Sequence, residues 1–186
     1  MKEIVNTLGR AQLNELKSLV GQEFKFIGGP EVPDFLVSDS FVISCSKSAL
    51  TVFGDTMEVQ VNENVEEFSK LKVQETDVNL FAATLKSGNM FLMNRRNSIT
   101  GISVVRESLV HEGSDGEEWT SNSDVAIVLH LAKGNLILRL LSHSVEAIAV
   151  EFALEFNVST FEKPSSRFEN DLFDAYSSKC ELVTVS

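Results

Sequence analysis

The chain has 186 residues, with 27 acidic side chains against 16 basic ones, which gives a formal charge of −11 at neutral pH and a sequence pI near 4.7. Its 43% apolar content is enough material for a core, and a chain of this length buries roughly 70% of its unfolded surface, so neither disorder nor a stapled mini-protein is expected. So acidic a surface lacks the footprint by which phosphate backbones are held and is repelled by anionic lipid, so nucleic acid and membrane are not expected as partners.

Residues 2–20 carry Ile4, Val5, Leu8, Ala11, Leu16, Leu19 and Val20 at three- and four-residue intervals, with Gly21 at a C-capping position. This spacing predicts an N-terminal amphipathic helix weakened in its middle by Gly9. The same stretch is interrupted by charges and contains no apolar signal-peptide region, and no later run reaches a membrane-spanning length. A cytoplasmic chain is therefore expected. Gly28 to Asp34 reads as a loop. Phe41–Cys45 and Leu50–Phe53 read as strands around a Ser46-Lys47-Ser48 turn, and Met57–Val61 alternates with period two. Val65–Leu71 fits helix or strand.

A pseudo-repeat follows. Val78–Leu92 aligns with Val125–Leu138, and both copies contain a Gly-Asn pair, Gly88-Asn89 and Gly134-Asn135. Each copy reads as a three-stranded antiparallel meander, by duplication or by convergence on hairpin chemistry, with a two-residue II′ turn at Gly-Asn. In the second copy such a turn sets Leu131 opposite Leu138, His130 opposite Arg139 and Leu129 opposite Leu140. One face, Ile127, Leu129, Leu131, Leu136, Leu138 and Leu140, is then a core face. Near the end, Ser166 with Glu169 makes a capping-box pattern ahead of Phe168, Leu172, Phe173 and Tyr176, predicting a C-terminal helix before a β-like tail.

The expected fold is thus α+β in class, mainly antiparallel β, a meander, barrel-like or curved sheet with a helix at each end. It is expected as one domain over 1–186: helix 1–21, strands and loops 22–77, first meander 78–106, acidic loop 107–124, second meander 125–160, helix and tail 161–186. Cys45 and Cys180 belong to no CxxC pair, so no zinc ribbon or redox motif is available, and two idle thiols are favoured over a bridge.

Charge is segregated along the chain. Residues 31–77 sum to −7 and 107–124 to −6, while 78–106 hold Lys86, Arg95, Arg96 and Arg106 and no acid. Two site candidates follow. The 107–124 loop ends its glycine- and serine-rich part on the only tryptophan, so Glu112, Asp115, Glu117 and Glu118 would steer a basic partner and Trp119 would anchor it. Arg95 and Arg96, with Arg139, are candidates for holding a carboxylate or phosphate, since guanidinium groups grip such anions in a bidentate manner. Catalytic signals are thin: no GxSxG, HExxH, Walker loop or GxGxxG occurs, and His111, His130 and His143 lack metal-ligand spacing. His130 facing Arg139 beside Glu146 or Glu151 is the one imaginable acid–base cluster.

The expectation is a non-catalytic intracellular domain that binds or neutralises a basic protein, as an inhibitor or regulator does, with no cofactor, no catalytic residue and no metal. Two alternatives stay open: a protein with a pocket for an anionic small molecule at the sheet mouth, as binder or enzyme, and a structural subunit or homo-oligomer using its sheet edges.

Overall fold

The computed structural model describes residues 2–29, 37–61, 64–76, 90–113, 116–141, 146–161 and 175–185, with backbone placement alone at 64, 90–96, 113, 116–118 and 175. Among the described residues eleven strands form one mostly antiparallel sheet: β1 (Lys2–Asn6), β2 (Glu23–Gly28), β3 (Val37–Ser38), β4 (Ser40–Cys45), β5 (Ala49–Val61), β6 (Asn64–Glu75), β7 (Met90–Gly113), β8 (Gly116–Leu131), β9 (Asn135–Leu140), β10 (Ile148–Ala153) and β11 (Ala175–Thr184). The order is β3-β10-β9-β8-β7-β2-β4-β5-β6, with β1 beside β8 and β11 beside β7. Strand β7 belongs to both halves: its first part pairs with β2 and its second with β8 and β11. The sheet is curled, because β3 at one end of this order and β4 in its other half are separated only by Asp39.

The predicted helix over 2–20 is corrected to a strand followed by a shorter helix, α1 (Arg10–Ser18). Ile4 and Val5 fit a helical stripe, but β1 lies parallel to β8, from Lys2 beside Trp119 to Asn6 beside Ser123. Gly9 starts α1 instead of weakening it: its carbonyl accepts the Leu13 N–H at 3.0 Å and its own N–H donates to Gln12 Oε1 at 3.1 Å. Gly21, at φ +80°, ends the turn after α1 and donates to the Ile99 carbonyl at 2.8 Å. This bond joins the turn to β7.

The C-terminal helix is likewise corrected where the chain is described. Tyr176, the last residue of the proposed apolar stripe, lies in β11 opposite His111, while Phe168, Leu172 and Phe173 fall outside the described residues. The ambiguous Val65–Leu71 segment is strand. It pairs along β5 without a bulge from Leu50 opposite Glu75 to Val61 opposite Asn64, so Leu50–Phe53 and Met57–Val61 are parts of one strand. Residues 78–89 of the first meander lie outside the described residues, and Met90 to Arg106, expected as two strands with a short connection, are corrected to part of the single strand β7.

The second copy forms as β8, β9 and β10, with a register different from that expected. Leu129 pairs with Leu136, and Ile127 with Leu138. Gly134 takes a positive φ of +81°, as the third residue of a loop over 132–134 closed by the Leu131 N–H on the Gly134 carbonyl at 3.0 Å. Three-residue loops with a left-handed last residue are the next commonest hairpin solution after the two-residue turns. Each partner moves by four residues, an even number, so the faces are kept. Ile127, Leu129, Leu131, Leu136, Leu138 and Leu140 are all buried in the main core with Leu16, Leu19, Phe24, Ile43 and Ile102.

Cys45 and Cys180 are buried and not joined by a disulfide. Burial pushes the Cys45 thiol up to about 12, against a lowering influence from Lys25. Native protein at pH 8 is therefore expected to resist iodoacetamide at Cys45, whereas urea-unfolded chain reacts, and mass spectrometry of the labelled peptide reads the difference. Equal labelling rates in both states would contradict this placement. A thiol pKa raised from 9.0 contributes stability that is complete below pH 9 and is lost progressively between pH 9 and 12. Among the described residues no helix is long and apolar enough to cross a membrane.

Candidate functional site

The 107–124 segment, expected as an exposed loop, is the paired end of the β7–β8 hairpin, with only residues 114–115 undescribed between the strands. The Gly and Ser content that suggested a loop is confined to this end, while Leu109, Val110, Trp119 and Thr120 keep the strands paired. Four strands contribute to each cross-strand row here. Tyr176, His111, Trp119 and Lys2 lie side by side from β11 to β1, and the next row on the same face is Ser178, Leu109, Ser121 and Ile4.

Trp119 is 3% exposed. The His111 ring stacks on it at 5.0 Å between centroids and contacts Tyr176 at 4.7 Å. From the other hairpin, Phe68 of β6 meets Trp119 edge-on at 5.0 Å and 87°, a favoured aromatic geometry. Val59, Val61, Phe68, Ile4, Leu109 and Trp119 make a second apolar cluster. The Lys2 ammonium donates to the Gln60 carbonyl, tying β1 to β5.

This packing brings two acidic stretches of the sequence to one end of the molecule. On the β5–β6 hairpin Glu58 stands opposite Glu67, with Glu66 beside it opposite Val59. On the β7–β8 hairpin Glu112 pairs with Glu117, with Glu118 next in line before Trp119. Glu58, Glu67 and Glu112 are exposed. Like charges directly opposed across strands are destabilising, by roughly 0.2–1 kcal/mol a pair. Asp115 and Glu63 lie outside the described residues.

Behind this end, the register of β7 against β8 shifts at Val105/Arg106, placing Arg106 opposite Asp124. Asp124, fully buried, accepts from Arg106 Nε at 2.9 Å and from the guanidinium Nη2 at 3.3 Å. Its Oδ2 also accepts the Leu8 N–H at 2.7 Å. The Asp124 hydrogen bonds raise the Arg106 guanidinium pKa, so Arg106 keeps its charge. One carboxylate thus ties the β1–α1 connection to the centre of the sheet. The sequence reading grouped Asp124 with the loop acids and missed this pair; the sole signal was an acid directly before the apolar run 125–131.

The basic candidates are not brought together. Arg95 and Arg96 lie where the β2–β7 register shifts: Phe24 pairs with Asn97 and Phe26 with Leu92, so Lys25 faces the whole of 93–96. Arg139 lies on β9 opposite Ala126, which is opposite Val105, about 30 Å along β7 from Arg95. Its Nε is 2.5 Å from Glu151 Oε1.

The imagined acid–base cluster does not assemble. The shifted register puts His130 opposite Asn135, not Arg139. Its ring nitrogens meet Ser103 Oγ at 2.9 Å and Asn135 Oδ1 at 2.8 Å, a structural role in which both are engaged. His143 lies outside the described residues, and no three His, Cys, Asp or Glu side chains among those described converge as metal ligands. No family model, curated protein or solved structure matches the chain.

Proposed function

We propose that the chain is a non-catalytic protein-binding domain whose two acidic hairpin ends form one docking surface for a basic protein. The observation that supports this reading is the Phe68–Trp119 contact, which holds Glu58, Glu66 and Glu67 alongside Glu112, Glu117 and Glu118. Concentrating like charge at one end opposes folding, while a field of one sign accelerates encounter with an opposite surface and discriminates against acidic partners. In this reading Trp119 is the spacer that fixes the separation of the two hairpins, and the acids make the contact.

The test begins with a partner recovered on the immobilised chain at low salt and identified. Its affinity is then measured from about 50 to about 250 mM salt, across which exposed charge pairs lose most of their interaction. Binding should weaken at least tenfold over that range, and Glu58→Lys with Glu67→Lys should slow association by a similar factor while leaving the fold intact. An affinity indifferent both to salt and to the charge reversal removes the acidic surface from recognition.

The β2–β7 irregularity favours a second reading, an anionic small-molecule site, because it sets Lys25, Arg95 and Arg96 at one point of the sheet. Thermal-shift screening with phosphorylated and dicarboxylate metabolites separates it from the first: a ligand at 100 times its Kd stabilises by about 2.7 kcal/mol, and Arg95→Ala with Arg96→Ala abolishes that shift.

A further inference from the structure

Strand β1 fits its place poorly. It makes the one parallel pairing among the described residues, five residues laid along Trp119 to Ser123 of β8. Its inward positions are Ile4, clustered with Trp119, Leu109 and Phe68, and Asn6, which is 6% exposed. The enclosed Asn6 Nδ2 meets no acceptor among the described residues. Val5, between the two, faces out at 60% exposure. The strand thus buries an amide that nothing satisfies and leaves a β-branched side chain in water, a conflict between local sequence and fold. A buried donor without an acceptor keeps its full desolvation penalty, whereas an apolar group of the same shape carries none.

The strand is held from its two ends. At the first, the Lys2 ammonium donates to the Gln60 carbonyl from an exposed side chain. At the second, Leu8 lies in the main core at 4% exposure and donates its N–H to Asp124 Oδ2 at 2.7 Å. Lys2–Asn6 can therefore peel away about Thr7 while Leu8 and α1 keep their places. The surface beneath survives that release, because β7 pairs with the opposite edge of β8 throughout 119–123. On the edge that β1 occupies, β9 pairs with β8 only at Ala126–His130. Peeling β1 back opens five residues of strand edge beside the Trp119 cluster.

An open strand edge takes an extended chain by backbone pairing, and alternate side chains set the selectivity. The inward places here call for a large apolar residue where Ile4 stands and an apolar residue of asparagine's shape where Asn6 stands. A lysine two residues before the first keeps the contact with Gln60. We propose that β1 is a displaceable strap over a strand-acceptor site on β8, which takes an extended segment of a partner protein with the pattern Lys-x-Ile-x-Leu, parallel to β8. The displaced strap carries Asn6 back into water, where its amide is solvated. The proposal does not rest on the acidic hairpin ends.

The probe is acetyl-Lys-Glu-Ile-Val-Leu-Thr-Lys-amide with fluorescein on its last lysine, titrated by fluorescence anisotropy against the full chain. Saturable binding is expected. Asn6→Leu lets the resident strand match its place, so it should slow amide exchange in β1 and weaken peptide binding roughly tenfold, the size of one unsatisfied buried donor. Ile4→Asp evicts the strap and should strengthen binding, with circular dichroism checking its fold. Asn6→Leu carries the comparison alone should Ile4→Asp unfold the chain. A peptide with aspartate in place of its isoleucine should not bind. The proposal is overturned by absence of saturable binding to the native chain, by equal affinity for the native chain and Asn6→Leu, or by equal binding of a peptide with asparagine in place of its leucine. The last result would mark exchange of β1 between copies of the chain rather than capture of a foreign strand.

Discussion

Arg106→Leu should destabilise the fold by about 3–5 kcal/mol, because it leaves a carboxylate buried without its counter-charge. Asp124 is fully buried, and its opposing charge comes from Arg106 at 2.9 Å. Asp124→Leu removes the buried charge together with its desolvation penalty, but orphans the Leu8 N–H, at about 1–3 kcal/mol. The double substitution should therefore cost less than the sum of the two singles, with a coupling of at least about 1 kcal/mol. Urea denaturation of the four proteins in the cycle reads each value. A loss below about 1 kcal/mol in Arg106→Leu, or strict additivity, would show that solvent reaches Asp124. The same set locates the effect: the Asp124 variants should speed amide exchange in β1 and α1 before the rest of the sheet, since Leu8 is the residue that Asp124 holds.

Trp119→Ala is the second large effect, about 3–5 kcal/mol for truncating a buried aromatic. The ring is 3% exposed and contacts Phe68, His111 and Tyr176, so the lost contacts come from three strands. Trp119→Phe keeps most of the apolar area and should cost less than half as much. A purely structural tryptophan would change stability alone. If it also spaces the acidic hairpins, Trp119→Phe should loosen the β5–β6 end, raising amide exchange at Met57–Phe68, and weaken partner binding under conditions where the variant is fully folded. Unchanged exchange in that segment would separate Trp119 from the docking surface.

What could be read from the sequence follows from how local each determinant is. The alternation at Met57–Val61 and the apolar face running from Ile127 to Leu140 led to the right strands and core face, because a period of two survives any even error of register. The turn type between β8 and β9 was misread, since Gly-Asn suits a II′ turn but glycine equally serves as the left-handed last residue of a longer loop. The N-terminal stripe failed for a different reason. Ile4 and Leu8 do sit four residues apart, but Ile4 is buried against Trp119 and Leu8 in the main core, a separation produced by distant strands that periodicity cannot register. The acidic surface was half legible. Both acidic stretches stood out in the sequence, yet their meeting depends on Phe68 touching Trp119, two residues with no sequence signal joining them.

The placement of β1 and β11 has a kinetic consequence. Lys2 must find Trp119 and Thr184 must find Ser103, so two flanking strands can dock only after the β7–β8 hairpin exists. Pairings so distant along the chain incur loop-closure entropy before they gain any contact, which slows folding at a given stability. During synthesis β1 therefore waits, unpaired and carrying Ile4 and Val5, until its partner residues Trp119 to Ser123 have left the ribosome. Of all the segments in this sheet, it spends the longest time available to chaperones and to the strands of neighbouring nascent chains.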